Sequence, residues 1–457
     1  MGATYAEQLA RRFTVLKYED VTAYSRHAIT RLLLDYLGVA IAGSQTESGR
    51  IAGRFAAEQG GTAQASLIGT GRRVPMANAA FANAISSHSI ELDDIDVLAL
   101  FHFSPPVFSA ALAAAERVGA RGRELVAALA AGCEMMERAS KAANPSLRDR
   151  GYHTTPTCGV FGATVAAGKL LRLDAAKLTS ALGLAGAQAA GLMEMYGPSM
   201  QKRFNPGPAA RSGVTSVVMA QLGFTGADTI FEGERGFLRA FTGNPDASQL
   251  GTGLDEPYRL DIEFKPYSCA RPIHNAIDCA LDIRSRHRPD LGAIRQIEVA
   301  RHPQWAHYHQ NKTPRTYHEA QVSLPYSVAV ALKEGQALLS QYDDRKLREP
   351  VLRRISAVTN VTVDGSLPRG VSCRMTVTLN DGRKFVSQVD HPKGSIQNPM
   401  SDEELRGKFD SLAAPVVGAR RAAQIAEVVD GIEKCGDVGK LMRLAAKPAR
   451  APRRRKR

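Results

Sequence analysis

The chain has 457 residues, 44% hydrophobic and 23% charged, enough apolar content for one large core or two and too much for a disordered protein. A formal charge of +14 raises nucleic acid or an anionic membrane as partners, but half of it (Lys447, Arg450, Arg453, Arg454, Arg455, Lys456 and Arg457) sits in residues 447–457, expected to be a disordered basic tail. The body keeps about +7, which suits attraction of anionic substrates better than nucleic-acid binding.

The six cysteines, Cys133, Cys158, Cys269, Cys279, Cys373 and Cys435, form no CxxC pair and no zinc-spaced cluster, which points to a reducing, cytoplasmic setting and no metal site. The first twenty residues have acids and no apolar h-region, so a secretory signal is not expected. The most apolar stretches are broken by Asp35, Gln188 and Glu194, so a soluble protein is expected.

In chain order, Ile29, Leu32, Leu33, Tyr36, Leu37 and Ala40 fall at helical spacing and Gly43-Ser44 give a stop, predicting a core helix. Further Ala- and Gly-rich helical patterns cover 107–118, 123–143, 159–171, 175–192 and 209–222. After Phe264 the character changes. Residues 294–300 read as a strand, and 371–379 and 384–389 as a hairpin about Asn380-Asp381-Gly382, with helices at 276–285 and 322–333. Helices return at 402–409 and 419–432. The expected fold is mainly α: a large helical domain (1–264 and 396–446) interrupted by a smaller α+β domain (265–395), with the active site in the cleft between them.

Four segments concentrate chemistry. The first, residues 87–94 (SHSIELDD), places Glu91, Asp93 and Asp94 within four residues, ahead of His102 in a loop constrained by Pro105 and Pro106; mutually repelling carboxylates need a compensating cation or serve to orient a histidine. The second carries His153 just before a helix expected to open at Gly159, where a helix N-terminus favours an anion. In the third, Lys202 and Arg203 precede a helix and can clamp a carboxylate. The fourth, residues 264–274, gathers Lys265, Tyr267, Arg271 and His274 where the helical domain gives way to the second. Each also has a structural reading, as a solvated turn, a capping residue or an exposed cation pair.

Taken in order, these stretches resemble the MmgE/PrpD superfamily of 2-methylcitrate dehydratases, cis-aconitate decarboxylases and iminodisuccinate epimerases. The likeness runs through SRHAITRLLLDYLGVAIAGS, AFANAISSHSIELDD, GYHTTPTCGVFGA, LGFTGADTIFEGERGFLRAF, KPYSCARPIH, AQVSLPYSVAVAL and NPMSDEELRGKF. It implies a homodimer and a cleft active site without metal or organic cofactor. By this resemblance His102, His153, Lys202 and Lys265 match active-site positions, the acidic segment supplies Asp93 and Asp94, and Tyr308 is matched to a family tyrosine. Arg203, Arg271, His274 and Tyr308 are then the candidate substrate contacts.

The chain departs from the decarboxylase pattern at four places. Ile95 stands in a threonine position, Glu91 where that branch places a catalytic aspartate, Asn205 in a usual histidine position and Ala270 where the decarboxylase has a second histidine. The expectation is therefore a lyase that abstracts a proton α to a carboxylate of a small polycarboxylic acid, with dehydration of a 2-methylcitrate-like acid ahead of epimerisation of an iminodisuccinate-like one, and cis-aconitate-type decarboxylation behind both. A catalytically inactive or nucleic-acid-binding protein on the same fold is the alternative from outside enzymology.

Overall fold

The computed structural model describes residues 2–97, 101–195, 199–368 and 370–447. All of the basic tail beyond Lys447 lies outside the described residues. The architecture is mainly α. One large apolar core draws on buried residues between 6 and 264 and again between 400 and 445, while a second gathers residues 269–379.

The helices Ala23–Gly43, Met76–Ser87, Ser104–Val118, Gly122–Ala143, Thr154–Leu170 and Pro206–Gln221 build the first core, and Asp402–Val417 returns to pack on Ala23–Gly43. Small residues set how closely they approach. A Cβ at Gly132 would lie 2.8 Å from the Gly162 carbonyl oxygen and one at Gly162 would lie 2.6 Å from that of Gly132, so any side chain at either crossing point would drive the two helices apart.

In the second core a four-stranded sheet runs in the order Thr359–Val363, Ile294–Arg301, Cys373–Leu379, Lys384–Val389. The last two form the expected antiparallel hairpin, with Cys373 opposite Val389. Strand Thr359–Val363, which no alternation in the sequence announces, pairs parallel to Ile294–Arg301 after the helix Pro350–Ala357. The helix His274–His287 covers the hairpin and Leu324–Glu334 packs against that helix.

Two helix boundaries differ from expectation in ways that shape the site. The helix expected from Gly159 opens at Thr154, because Pro156 falls in the first turn, where the missing N–H costs nothing, and His153 becomes the N-cap residue. The helix expected over 175–192 stops at Gly186. The chain after it doubles back, with the Gly191 carbonyl accepting from the His153 N–H at 3.0 Å and the Gly151 carbonyl from the Met193 N–H at 2.8 Å. Helices Glu47–Glu58 and Met76–Ser87 were not anticipated. Among the described residues no helix is long and apolar enough to cross a membrane.

Candidate active site

The acidic segment begins where the helix Met76–Ser87 ends, with His88 as its C-cap. Ile90 and Leu92 are buried with Val39, Ala42 and Leu412 and anchor the segment on the helical side. Its carbonyls are pinned from afar: Ser268 Oγ (2.7 Å) and Gln321 Nε2 (2.9 Å) donate to that of Ile90, and Lys408 Nζ (2.6 Å) to that of Leu92. Between these anchors Glu91 adopts φ 56°, a left-handed conformation disfavoured for a side-chain-bearing residue.

A cavity of about 100 Å3 opens over this segment. Glu91, His102, His153, Lys202, Lys265 and Arg271 contribute its polar lining, joined by Arg148, Thr154 and His309, while Ile95, Val97, Met193, Met195, Ala270, Pro272, Trp305 and Val371 give it an apolar wall. Of the residues expected to act together, the structure thus brings His102, His153, Lys202, Lys265 and Arg271 to one cavity.

Its floor is an ionic cluster. Glu91 accepts from Lys202 and Arg203 on one oxygen and from Lys265, at 3.2 Å, on the other. Burial opposes ionisation of Glu91, but Lys202, Arg203 and Lys265 override it and hold the carboxyl well below its usual range. Asp93, just behind, has Oδ2 at 2.7 Å from His88 Nδ1 and 3.1 Å from His102 Nδ1, and Oδ1 at 3.6 Å from Lys265 Nζ. Burial raises its pKa, and the two histidines and Lys265 more than reverse this. Burial lowers the pKa of Lys265 too, but Asp93 and Glu91 pull it above its ordinary value, so it stays an ammonium. In Lys202 burial outweighs Glu91 and the pKa falls to about 8.

Asp94 does different work from its neighbour. Its oxygens accept from the Phe103 N–H at 2.6 Å and the Ser104 N–H at 3.1 Å, capping the helix Ser104–Val118. Burial and the adjacent Asp93 charge raise its pKa to about 7 against these bonds. Its own carbonyl faces His102 Nδ1 at 2.5 Å. With an acceptor on that side and Asp93 beside it, Nδ1 carries the proton and Nε2 keeps a lone pair. Burial lowers the His102 pKa to about 3, so the ring is neutral.

His153 is set the other way. Asn205 Nδ2, which also donates to the Leu192 carbonyl at 3.4 Å, stands 3.0 Å from His153 Nδ1, so Nδ1 accepts and Nε2 bears the proton. Burial again keeps the ring neutral.

The other expected residues fall outside the lining. Arg203 sits behind Glu91, donating also to Gln321 Oε1 at 2.9 Å. His274 is buried behind Arg271, bonded to it at 3.1 Å and to the Cys269 carbonyl at 3.2 Å. Arg271 itself is held by Glu263 (2.9 Å) and the Lys393 carbonyl (2.9 Å). Tyr308 does not reach the cavity: it is 57% exposed, and its neighbour His309, at φ 67°, supplies the wall residue instead. Lys202 and Arg203 precede the helix Pro206–Gln221, as expected, on a short turn of their own, Gln201–Phe204.

Sequence reasoning gave no role to His88, Arg148, His309 or Gln321. Of these only His88 carried a signal, five residues before Asp93 in the same acidic segment. His88, Asp93 and His102 also place metal-ligating atom types within 4.8 Å of one another, a mixed grouping that cysteine and histidine spacing could not reveal. The Lys265 ammonium already supplies Asp93 with the positive charge a metal would bring.

Comparison with known proteins matches the MmgE/PrpD N-terminal domain to residues 7–250 and the MmgE/PrpD C-terminal domain to residues 267–434. The chain is 30% identical to a cis-aconitate decarboxylase-like protein, oryM, of Aspergillus oryzae, with 96% of each chain covered. It is 27% identical to the cis-aconitate decarboxylase of Aspergillus terreus over 84% of each chain, and 27% identical to that of Homo sapiens over 98% of this chain and 96% of the relative. Two domain models in order across most of the length, and relatives aligned end to end, establish that the chain belongs to the MmgE/PrpD family.

Proposed function

We propose that the protein is a cofactor-independent lyase that removes a proton α to a carboxylate of a small polycarboxylic acid. The observation that carries this reading is the pairing of two neutral imidazoles in opposite tautomers, His102 and His153, over a floor of buried cations. The dianion formed by removing such a proton is unstable in water. Lys265 and Lys202, fixed and desolvated, are placed to stabilise it, and each preorganised group of this kind is typically worth about 2.7–4 kcal/mol.

In the dehydration reading His102 Nε2 takes the carbon-bound proton. The electron pair of that bond becomes the new double bond as hydroxide leaves the neighbouring carbon, collecting a proton from His153 Nε2 or from the Lys202 ammonium to depart as water. The substrate is a hydroxy-polycarboxylate, as in 2-methylcitrate dehydration. Epimerisation shares the first step and returns the proton on the opposite face.

Decarboxylation is the second reading, favoured by the relatives' names and by the apolar wall of Ile95, Val97, Met193, Met195 and Trp305, since loss of carbon dioxide gains from a desolvated carboxylate. Incubating the protein with citrate-like, aconitate-like and aspartate-derived acids in deuterated water, followed by NMR, distinguishes these outcomes. Deuterium at a carbon beside a carboxylate supports the shared step, and water loss, carbon dioxide release or inversion then identifies the reaction. A panel with no exchange and no turnover would overturn the enzyme reading in favour of a binding protein.

A further inference from the structure

Another cationic cavity lies in the smaller α+β part of the chain, between the stretch 312–315 and the helix Pro350–Ala357. Its volume of about 620 Å3 falls in the range of about 300–1,000 Å3 usual for small-molecule sites, and it shares no lining residue with the cavity over Glu91. Lys312, Arg315, Arg348 and Arg353 line it against one carboxylate, Asp344, so four cations less one acid leave three positive charges. The neighbouring acids are engaged elsewhere. Glu319 accepts from the N–H groups of Arg315 (2.6 Å) and Thr316 (3.3 Å), Glu349 pairs with Lys346 (2.9 Å) and Lys333, and Asp343 pairs with Arg345 (3.2 Å). Among the described residues none of the four lining cations is in an ion pair.

Two of these cations are fixed without being cancelled. Lys312 Nζ donates to the Ala357 carbonyl at 3.2 Å and to Asn360 Oδ1 at 2.7 Å, both neutral acceptors, and Arg353 Nε donates to the Leu347 carbonyl at 3.0 Å. Arg315 and Arg348 are exposed. Pro314, Leu347, Ala357 and Tyr326, whose hydroxyl is taken by the Gln341 carbonyl at 2.7 Å, add apolar surface. Three guanidinium forks and an ammonium around one cavity suit a ligand whose charge is about −3 or more and is spread over several oxygens, and guanidinium geometry matches phosphate. We propose that this cavity is a second anion site, for a chain of two or three phosphates, free or carried by a nucleoside.

The test is calorimetric titration of the full chain with inorganic triphosphate and with ATP at about 0.15 M salt, where diffuse attraction is screened beyond about 8 Å. One probe molecule should bind per chain. Tighter binding of ATP supports a nucleoside seated on the apolar surface, and equal binding supports recognition of the phosphate chain alone. Arg315→Gln combined with Arg348→Gln should weaken triphosphate binding at least about tenfold, or about 1.4 kcal/mol. Arg454→Gln combined with Arg455→Gln removes the same charge from the basic tail and should change it less than about twofold. Equal losses in the two variants overturn the proposal, because net charge then accounts for the binding. It is also overturned if neither probe binds, if citrate binds as tightly as triphosphate and is weakened equally by the cavity substitutions, or if those substitutions abolish retention of a single-stranded oligonucleotide while triphosphate binding is unchanged. Turnover plays no part in these readouts, so the outcome is independent of the lyase reading.

Discussion

Two buried charge clusters in this molecule differ in kind. On the helix Gly122–Ala143, Arg138 pairs with Glu134 one turn away at 2.8 Å and donates to the carbonyls of Thr252 (2.7 Å) and Gly253 (3.3 Å), tying a loop to the helix. In the cavity floor, Glu91 and Asp93 meet Lys202, Arg203 and Lys265, which lie 111, 112 and 174 residues from Glu91 along the chain. The first cluster is local and faces the protein interior. The second is assembled from distant segments, is lined up on a cavity and leaves His88 Nε2 and Asp93 Oδ1 without hydrogen-bond partners. Buried charge by itself therefore does not single out a candidate site; what sets the second cluster apart is its assembly from distant segments on a cavity.

Removing one cation from either cluster tests that distinction most severely. Lys265→Met and Arg138→Met each strand a buried carboxylate, and chemical denaturation should show a loss of about 3–5 kcal/mol in both. Only Lys265→Met should also abolish turnover per folded molecule; equal activity losses in the two would erase the difference. Next in size, Lys202→Ala should lower kcat by about 10²–10³ with an intact fold by circular dichroism, because Arg203 and Lys265 still hold Glu91. Near-normal turnover would remove Lys202 from the mechanism.

A smaller effect is expected at the tautomer switch. Asn205→Leu removes the donor to His153 Nδ1 and frees the proton to sit on either nitrogen, so kcat should fall by about tenfold with KM little changed. The smallest effect is in the pH profile. His102 is depressed to about 3, so the base remains neutral and kcat should not drop between about pH 7 and 5, where an ordinary histidine near 6.5 would titrate. Lys202 near 8 loses its charge on the other side, and kcat should decline above about pH 8. Stability has its own sign: with the Glu91 and Asp93 pKa values depressed in the folded state, their contribution is complete above about pH 4 and disappears as pH falls through the folded values.

Much of the scaffold was legible in the sequence because its signals are local. The spacing of Ile29, Leu32, Leu33, Tyr36 and Leu37 with Gly43 beyond it needs nothing outside its own helix, and the Asn380-Asp381-Gly382 turn fixes the hairpin register around it. The strand Thr359–Val363 escaped because a parallel partner is chosen by a crossover, not by its own alternation. The residue types of the site, His102, His153, Lys202 and Lys265, were also readable from their segments.

Their roles were not readable, because a role depends on which atom faces which. Asp93 and Asp94 are adjacent and alike in sequence, yet one carries the imidazoles while the other caps a helix. Glu91 stood in a repelling run, where the resembled decarboxylase branch has an aspartate, and nothing local showed that the distant Lys202, Arg203 and Lys265 converge on it. Sequence by itself determined the family, the helical scaffold and the inventory of charges, all of which are written in local spacing and ordered motifs. Only the tertiary structure decided which charges cancel, which imidazole nitrogen holds its proton and how much positive charge is left for a ligand, since electrostatic energy depends on separation and burial in space and not on distance along the chain.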